Sequence, residues 1–77
     1  MKRDDLMKQM RELQIQSVAI SHQRDAIIKL YDAAAMMNNT MLAEGYRQQL
    51  HDLLDVQLDN TSSLMQITRT LIDTAGS

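Results

Sequence analysis

The sequence contains no cysteine, proline, tryptophan or phenylalanine, and only two of its 77 residues are glycine. Without cysteine the chain can form neither a disulfide nor a thiolate metal site. Strands and tight β-hairpins draw on turn residues and aromatic side chains, and both are scarce here. Leucine, methionine, alanine, glutamine and the charged helix formers dominate instead. The composition therefore predicts an all-α protein.

The sequence also lacks an excess of charge of one sign. Its formal net charge is −2, which provides no long-range field toward an acidic or basic partner. No apolar run approaches the ~18 residues that a membrane-spanning helix needs. The N-terminal residues lack the apolar segment of a signal peptide. We therefore expect a cytoplasmic protein that makes no contact with a membrane.

The chain is short enough to need a stabilising partner. Below roughly 70–80 residues a single core rarely supplies more than ~3–5 kcal/mol, and such proteins commonly add disulfides, a metal or a second chain. Disulfides are excluded, and His22 and His51 alone are too few for a convincing zinc site. We therefore expect one domain over residues 1–77 that is stabilised by self-association or by another protein.

Residues 4–37 predict one long helix with a heptad-like apolar seam. The seam positions alternate at spacings of three and four residues, and polar Ser17 and Arg24 take two of these positions. The apolar members of the seam are Leu6, Met10, Leu13, Ile20, Ile27, Tyr31 and Ala34.

A second apolar stripe runs along the same helix, about 120° around its axis. It consists of Ile15, Ala19, Ala26, Leu30, Ala33 and Met37. A helix that is apolar on two faces must be covered on two sides, and one partner helix cannot do that. This pattern predicts a bundle of more than two helices, most simply a dimeric four-helix bundle.

Residues 41–75 predict a second helix, whose seam is ambiguous by one residue at several positions. The seam passes through Leu42 or Ala43, Tyr46, Leu50, Leu53 and Leu54, Gln57, Asn60 or Thr61, Leu64, Ile67 or Thr68, Leu71 and Ala75. Residues 59–63 are of types that favour N-caps over helix interiors, so a break there is the competing interpretation. The seam keeps its phase across this stretch, which favours a continuous helix.

The two helices predict a long antiparallel hairpin with its loop at residues 38–40. Asn38 and Asn39 tolerate the left-handed conformation that ends helices, and Thr40 is a suitable N-cap for the second helix. Folding the chain at this loop brings together residues whose numbers sum to roughly 78. Ser17 then faces Thr61 in a polar layer of the seam.

Arg24 occupies a seam position, where a charge is costly unless it is paired. One interpretation is that its aliphatic stem packs while the guanidinium reaches Asp55 or solvent. A second is that Arg24 joins Ser17 and Thr61 in a polar seam that fixes register and oligomer state. A third is an anion contact at a subunit interface, together with Lys29 and a tyrosine.

Methionines surround the predicted loop. Met36, Met37 and Met41 either fill gaps in a core or form an adaptable surface that binds another protein. The second interpretation predicts that all three are exposed in the isolated protein.

No catalytic, cofactor-binding or metal-binding constellation is recognisable. The serines lack an orienting histidine at a known spacing, the carboxylates are scattered, and there is no Gly-rich phosphate loop. We therefore expect a protein that is not an enzyme and that uses no cofactor.

These patterns favour a non-enzymatic interaction module, such as a small adaptor, inhibitor or chaperone-like regulator, that acts as a homo-oligomer and binds another protein. Its expected interaction surface comprises Ile15, Ala19, Ala26, Leu30, Met36, Met37 and Met41. In size and hairpin layout the chain is similar to the small cochaperones of type III secretion needles and to small phage-encoded regulators. This similarity concerns architecture and carries no residue signature.

Two alternative functions stay open. The first is an oligomer that binds a small ligand, an anion or a nucleotide between subunits. The second is a nucleic-acid-binding accessory protein whose N-terminal basic residues contact phosphates. Those basic residues are Lys2, Arg3, Lys8 and Arg11, with Asp4, Asp5 and Glu12 interspersed among them.

Overall fold

The computed structural model describes residues 2–75, which form two antiparallel helices joined by one tight turn. Helix α1 spans Lys2–Met36 and helix α2 spans Thr40–Ala75. The Cα atoms span a rod of 58 × 15 × 14 Å. At ~1.5 Å per residue each helix accounts for roughly 53 Å of that length. The predicted all-α hairpin is confirmed. Met1, Gly76 and Ser77 of the predicted domain lie outside the described residues.

Each helix turns one row of covered or half-covered residues toward the other helix, and these two rows form the seam. The α1 row is Leu6, Met10, Leu13, Ser17, Ile20, Arg24, Ile27, Tyr31 and Ala34. The α2 row is Ala43, Tyr46, Leu50, Leu53, Gln57, Asn60, Leu64, Ile67 and Leu71. Spacings of three and four alternate along both rows, as helices packed side by side at a shallow angle require.

The polar layer of the seam differs by one residue from the expected one. Thr61, which the sequence analysis places in the seam, is exposed, and Asn60 lies in the seam with only 7% of its surface accessible. The Nδ2 group of Asn60 donates a hydrogen bond to the backbone carbonyl of Leu13 across the seam, at 3.0 Å. Position 61 points elsewhere because each residue advances about 100° around a helix.

The polar stretch 59–63 lies inside α2 and is helical throughout. Asn disfavours helix interiors chiefly because its side chain competes for the local backbone. Here the Asn60 side chain is engaged with α1 instead, so this competition is absent. Asn60 therefore does not interrupt the helix.

The turn ends α1 with a Schellman motif. Asn38 is the one described non-glycine residue with a positive φ, 56°, and it adopts the left-handed conformation expected of it. Its N–H donates to the carbonyl of Ala35 at 3.1 Å, and the N–H of Asn39 donates to the carbonyl of Ala34 at 2.9 Å. These two hydrogen bonds satisfy carbonyl groups that the helix end would otherwise leave unpaired.

Asn39, rather than Thr40, caps α2. The Asn39 Oδ1 atom accepts a hydrogen bond from the N–H of Leu42 at 3.2 Å, and its carbonyl accepts the N–H of Ala43 at 3.0 Å. Thr40 is already the first residue of α2. The cap lies one residue earlier than expected because the Schellman motif already ends at Asn39. Asn39 is therefore the residue that immediately precedes α2.

The cap assignment predicts the effect of Asn39→Ala. Losing the side-chain acceptor leaves the Leu42 N–H unpaired, so the free energy of unfolding falls by ~1 kcal/mol. Denaturant unfolding at fixed protein concentration measures this loss. The control is Thr40→Ala, which keeps the cap and changes stability by less than ~0.5 kcal/mol. A larger loss for the control than for Asn39→Ala would assign the cap to Thr40.

The seam register predicts opposite responses of two neighbouring positions to the same change. Asn60→Asp replaces an amide donor with a carboxylate that faces a carbonyl oxygen, and this costs about 1–3 kcal/mol of stability near neutral pH. Thr61→Asp adds the same charge at an exposed position and changes stability by no more than ~0.5 kcal/mol. Denaturant unfolding compares the two. Equal effects would show that position 60 is not the one that faces α1.

Candidate interaction surfaces

The hairpin covers very little of its own apolar surface. Among the described residues Ile20 and Ala34 are the apolar residues that are buried, and no side chain is fully enclosed. The accessible surface is 6173 Å², whereas a compact monomer of this mass exposes ~4,800 Å². Large apolar side chains therefore remain on the outside of both helices.

The predicted second stripe of α1 is one of these exposed surfaces. Its six residues are all exposed: Ile15, Ala19, Ala26, Leu30, Ala33 and Met37. Ala26 lies at the edge of a shallow groove between the helices, which Ile27 of α1 and Val56 of α2 also line. The single partner helix leaves this stripe open.

Helix α2 carries a second apolar stripe of its own, which the sequence analysis missed. Its residues are spaced alternately by four and three, and all are exposed: Leu54, Leu58, Thr61, Met65, Thr68 and Ile72. The stripe lies roughly 100° around the helix from the seam. A shallow groove runs along it, between Thr61 and Met65 at one end and Thr68 and Ile72 at the other.

The α2 stripe was missed because it begins one residue after the seam. Leu54, Thr61 and Thr68 directly follow the seam residues at positions 53, 60 and 67. When both residues of each such pair are assigned to the seam, the separate stripe is not recognised. The signal that reveals it is the repeat from Leu54 through Leu58 to Ile72, which keeps heptad spacing by itself.

The two stripes lie on opposite faces of the hairpin. Two antiparallel helices leave one groove on each face, and each stripe borders a different groove. Ala26 of the α1 stripe borders the groove that Gln49 and Val56 line. Leu54 of the α2 stripe borders the groove that Arg24 and Ile28 line. Neither stripe can therefore cover the other within one chain.

The tip of the hairpin is a third apolar surface. Met36, Met37 and Met41 are 85%, 77% and 87% exposed. Leu42 stands beside Met41 and lines a small hollow with Tyr46. The short, hydrogen-bonded Schellman turn holds these side chains outward at the end of the rod.

Arg24 pairs with a neighbour on its own helix rather than with Asp55. Its guanidinium lies 3.4 Å from a carboxylate oxygen of Asp25, and both side chains are partly exposed. Such local exposed pairs contribute little to stability. Ser17 and Arg24 both lie in the half-covered seam, whereas Lys29 is exposed on α1.

The basic residues of the N-terminal segment do not form a separate cationic face. Lys2, Arg3, Lys8 and Arg11 are all exposed. Lys8 and Arg11 follow Asp4 by four and seven residues, and residues at those spacings share one side of a helix. An aspartate therefore stands on the same side as two of the four basic residues, which weakens attraction to phosphates.

The described residues offer no metal-ligand cluster of three or more histidine, aspartate or glutamate side chains. Neither helix is apolar enough over a sufficient length to span a bilayer, as far as residues 2–75 show. Comparison with protein-family models, with curated proteins and with solved structures finds no match.

The exposure of the tip predicts which methionines oxidise first. Mild peroxide should convert Met36, Met37 and Met41 to sulfoxides faster than Met10, which is half-covered in the seam. Peptide mapping by mass spectrometry measures the rate at each site. The same experiment in denaturant removes the difference if it arises from burial. Equal rates in the folded protein would contradict the difference in exposure between the tip and the seam.

Proposed function

We propose that this chain is a non-enzymatic protein–protein interaction module, a small adaptor, inhibitor or chaperone-like regulator that works as a homo-oligomer. The observation that carries the proposal is the exposure of heptad-spaced apolar stripes on opposite faces of one hairpin. Stripes of this kind are the contact surfaces of helical bundles.

The amount of uncovered surface supports self-association. The hairpin exposes roughly 1,400 Å² more than a compact monomer of its mass. A standard stable interface removes about 800 Å² from each partner. One interface of ordinary size would therefore cover more than half of this excess, and a dimeric four-helix bundle is the simplest such assembly.

The presence of two further apolar surfaces supports a second partner. If one stripe is covered by self-association, the stripe on the other face and the methionine tip remain available. Methionine side chains adapt to differently shaped apolar partners. The tip is the surface that we assign to binding another protein.

The proposed function predicts a concentration-dependent molar mass. Light scattering should give a multiple of the 8.8 kDa chain mass, and circular dichroism on the same samples should show helicity falling as dilution dissociates the oligomer. The physical reason is that each half-covered seam depends on the second interface for part of its stability. A stable, fully helical monomer at every concentration would overturn the proposal.

A further inference from the structure

We propose that a second copy of this chain packs antiparallel along the α2 stripe, about a two-fold axis at residue 63. The proposal rests on the proposed function, and it identifies which of the exposed faces forms the homodimer. A second copy fits this face because its apolar residues and its charged residues each match the same residues of a copy that runs in the opposite direction.

The apolar pattern supplies the register. In an antiparallel pair of heptad stripes the two alternating position types face one another. Applied to this stripe, that rule places Leu54 opposite Ile72 and Leu58 opposite Thr68, with the second copy repeating both layers in reverse. Thr61 and Met65 then meet next to the axis. Every layer then contains at least one large apolar side chain, and in two of the three kinds of layer the other side chain is a threonine.

The charge pattern supports the same register independently. The border of the stripe that faces away from α1 carries Asp55, Ser62 and Arg69, seven residues apart, and all three are exposed. The antiparallel register brings Asp55 of each copy beside Arg69 of the other, while the two Ser62 side chains meet at the axis. Two identical ion pairs result, as a two-fold interface requires.

These charges have no partner within their own hairpin. The ion pairs within residues 2–75 are Arg24–Asp25 and Arg47–Glu44, both local. Asp55 and Arg69 lie fourteen residues apart on one straight helix, which separates them by ~21 Å. Any energetic coupling between Asp55 and Arg69 therefore has to pass through a second copy.

One of the two threonines on the stripe already satisfies its hydroxyl within its own helix. The hydroxyl of Thr68 donates to the carbonyl of Leu64 on its own helix at 2.8 Å, so burying this threonine leaves no unpaired donor. Thr68 then presents its methyl group to the neighbour. The groove between Met65 and Ile72 can receive Leu58 of the second copy as a knob.

This register leaves the tips free. Residues 51–75 of the two α2 helices overlap, and the segment from Thr40 to residue 50 projects beyond the overlap by ~16 Å at each end. Met36, Met37 and Met41 therefore stay exposed in the dimer. The homodimer face and the surface assigned to another protein are compatible.

The first test compares two glutamate substitutions at equally exposed positions. Leu58 and Ile15 are both 65% exposed in the hairpin, on α2 and α1 respectively. Leu58→Glu should raise the dimer dissociation constant at least about a hundredfold, since it buries a charge in the interface. Ile15→Glu should leave it within about threefold of wild type. Analytical ultracentrifugation measures both, and circular dichroism at high concentration checks the helical content.

The decisive test is charge reversal at the border of the stripe. Asp55→Arg and Arg69→Asp should each weaken the dimer about tenfold, because two attractive pairs become repulsive. The double variant Asp55→Arg with Arg69→Asp should return to near wild-type affinity. Asp59→Arg, on the outer side of α2, is the control and should have little effect. A double variant as weak as the single ones, or weaker, would overturn the proposed register.

The two proposals fail differently. A wild-type chain that is monomeric at every concentration overturns both. A wild-type oligomer that Ile15→Glu disrupts and Leu58→Glu does not would overturn the α2 interface alone. In that case the proposed function stands, with the α1 stripe as the homodimer face.

Discussion

A pair of helices meets along a single seam, so each helix can cover only one of its faces. In this chain both helices are apolar on a second face as well. The seam takes up one heptad row from each helix and leaves a further row on each outside, on opposite sides of the hairpin. Covering all of these apolar faces requires more helices than one hairpin contains. The exposed surface, the grooves and the proposed homodimer all follow from this mismatch.

The middle of the seam is polar, and this lowers what the hairpin can gain from its one interface. Ser17, Arg24, Gln57 and Asn60 occupy positions that apolar residues hold toward both ends. In coiled coils such polar positions commonly fix register at a cost in stability. Here the tight turn already restricts the register, so the contribution of Asn60 to specificity is secondary. Because the seam contributes less stability, the stability of the hairpin depends more on contacts with other chains.

Most of the fold could be predicted because it depends on patterns that are regular over long distances. The α1 seam from Leu6 to Ala34 repeats without interruption by proline or glycine, and heptad phase identifies it directly. The α2 seam was ambiguous wherever two candidates stood side by side, as at Asn60 and Thr61. There a shift of one residue moves a side chain by about 100°, and only the position of α1 decides which of the two is covered.

The local chemistry of the turn and of the site was harder to predict for a related reason. Asn39 and Thr40 are both good N-caps, and the choice between them depends on where the Schellman motif closes. The partner of Arg24 depends on rotamers that sequence spacing does not specify. The α2 stripe was readable in principle, since the spacing from Leu54 to Ile72 is regular. The α2 stripe was assigned to the seam because threonine occupies two of its positions and is not counted as an apolar residue.

The single turn at one end of a long rod also determines how the hairpin opens. Contacts beside the turn join residues close in sequence, whereas the hydrogen bond from Asn60 to Leu13 spans 47 residues. Closing a longer loop costs more chain entropy, so we expect the two helices to pair first beside the turn and to fray at the open end. The α2 stripe lies along the half of the hairpin that is farther from the turn. A second copy bound there would clamp the fraying end, so that completing the fold and finding the partner become one cooperative event.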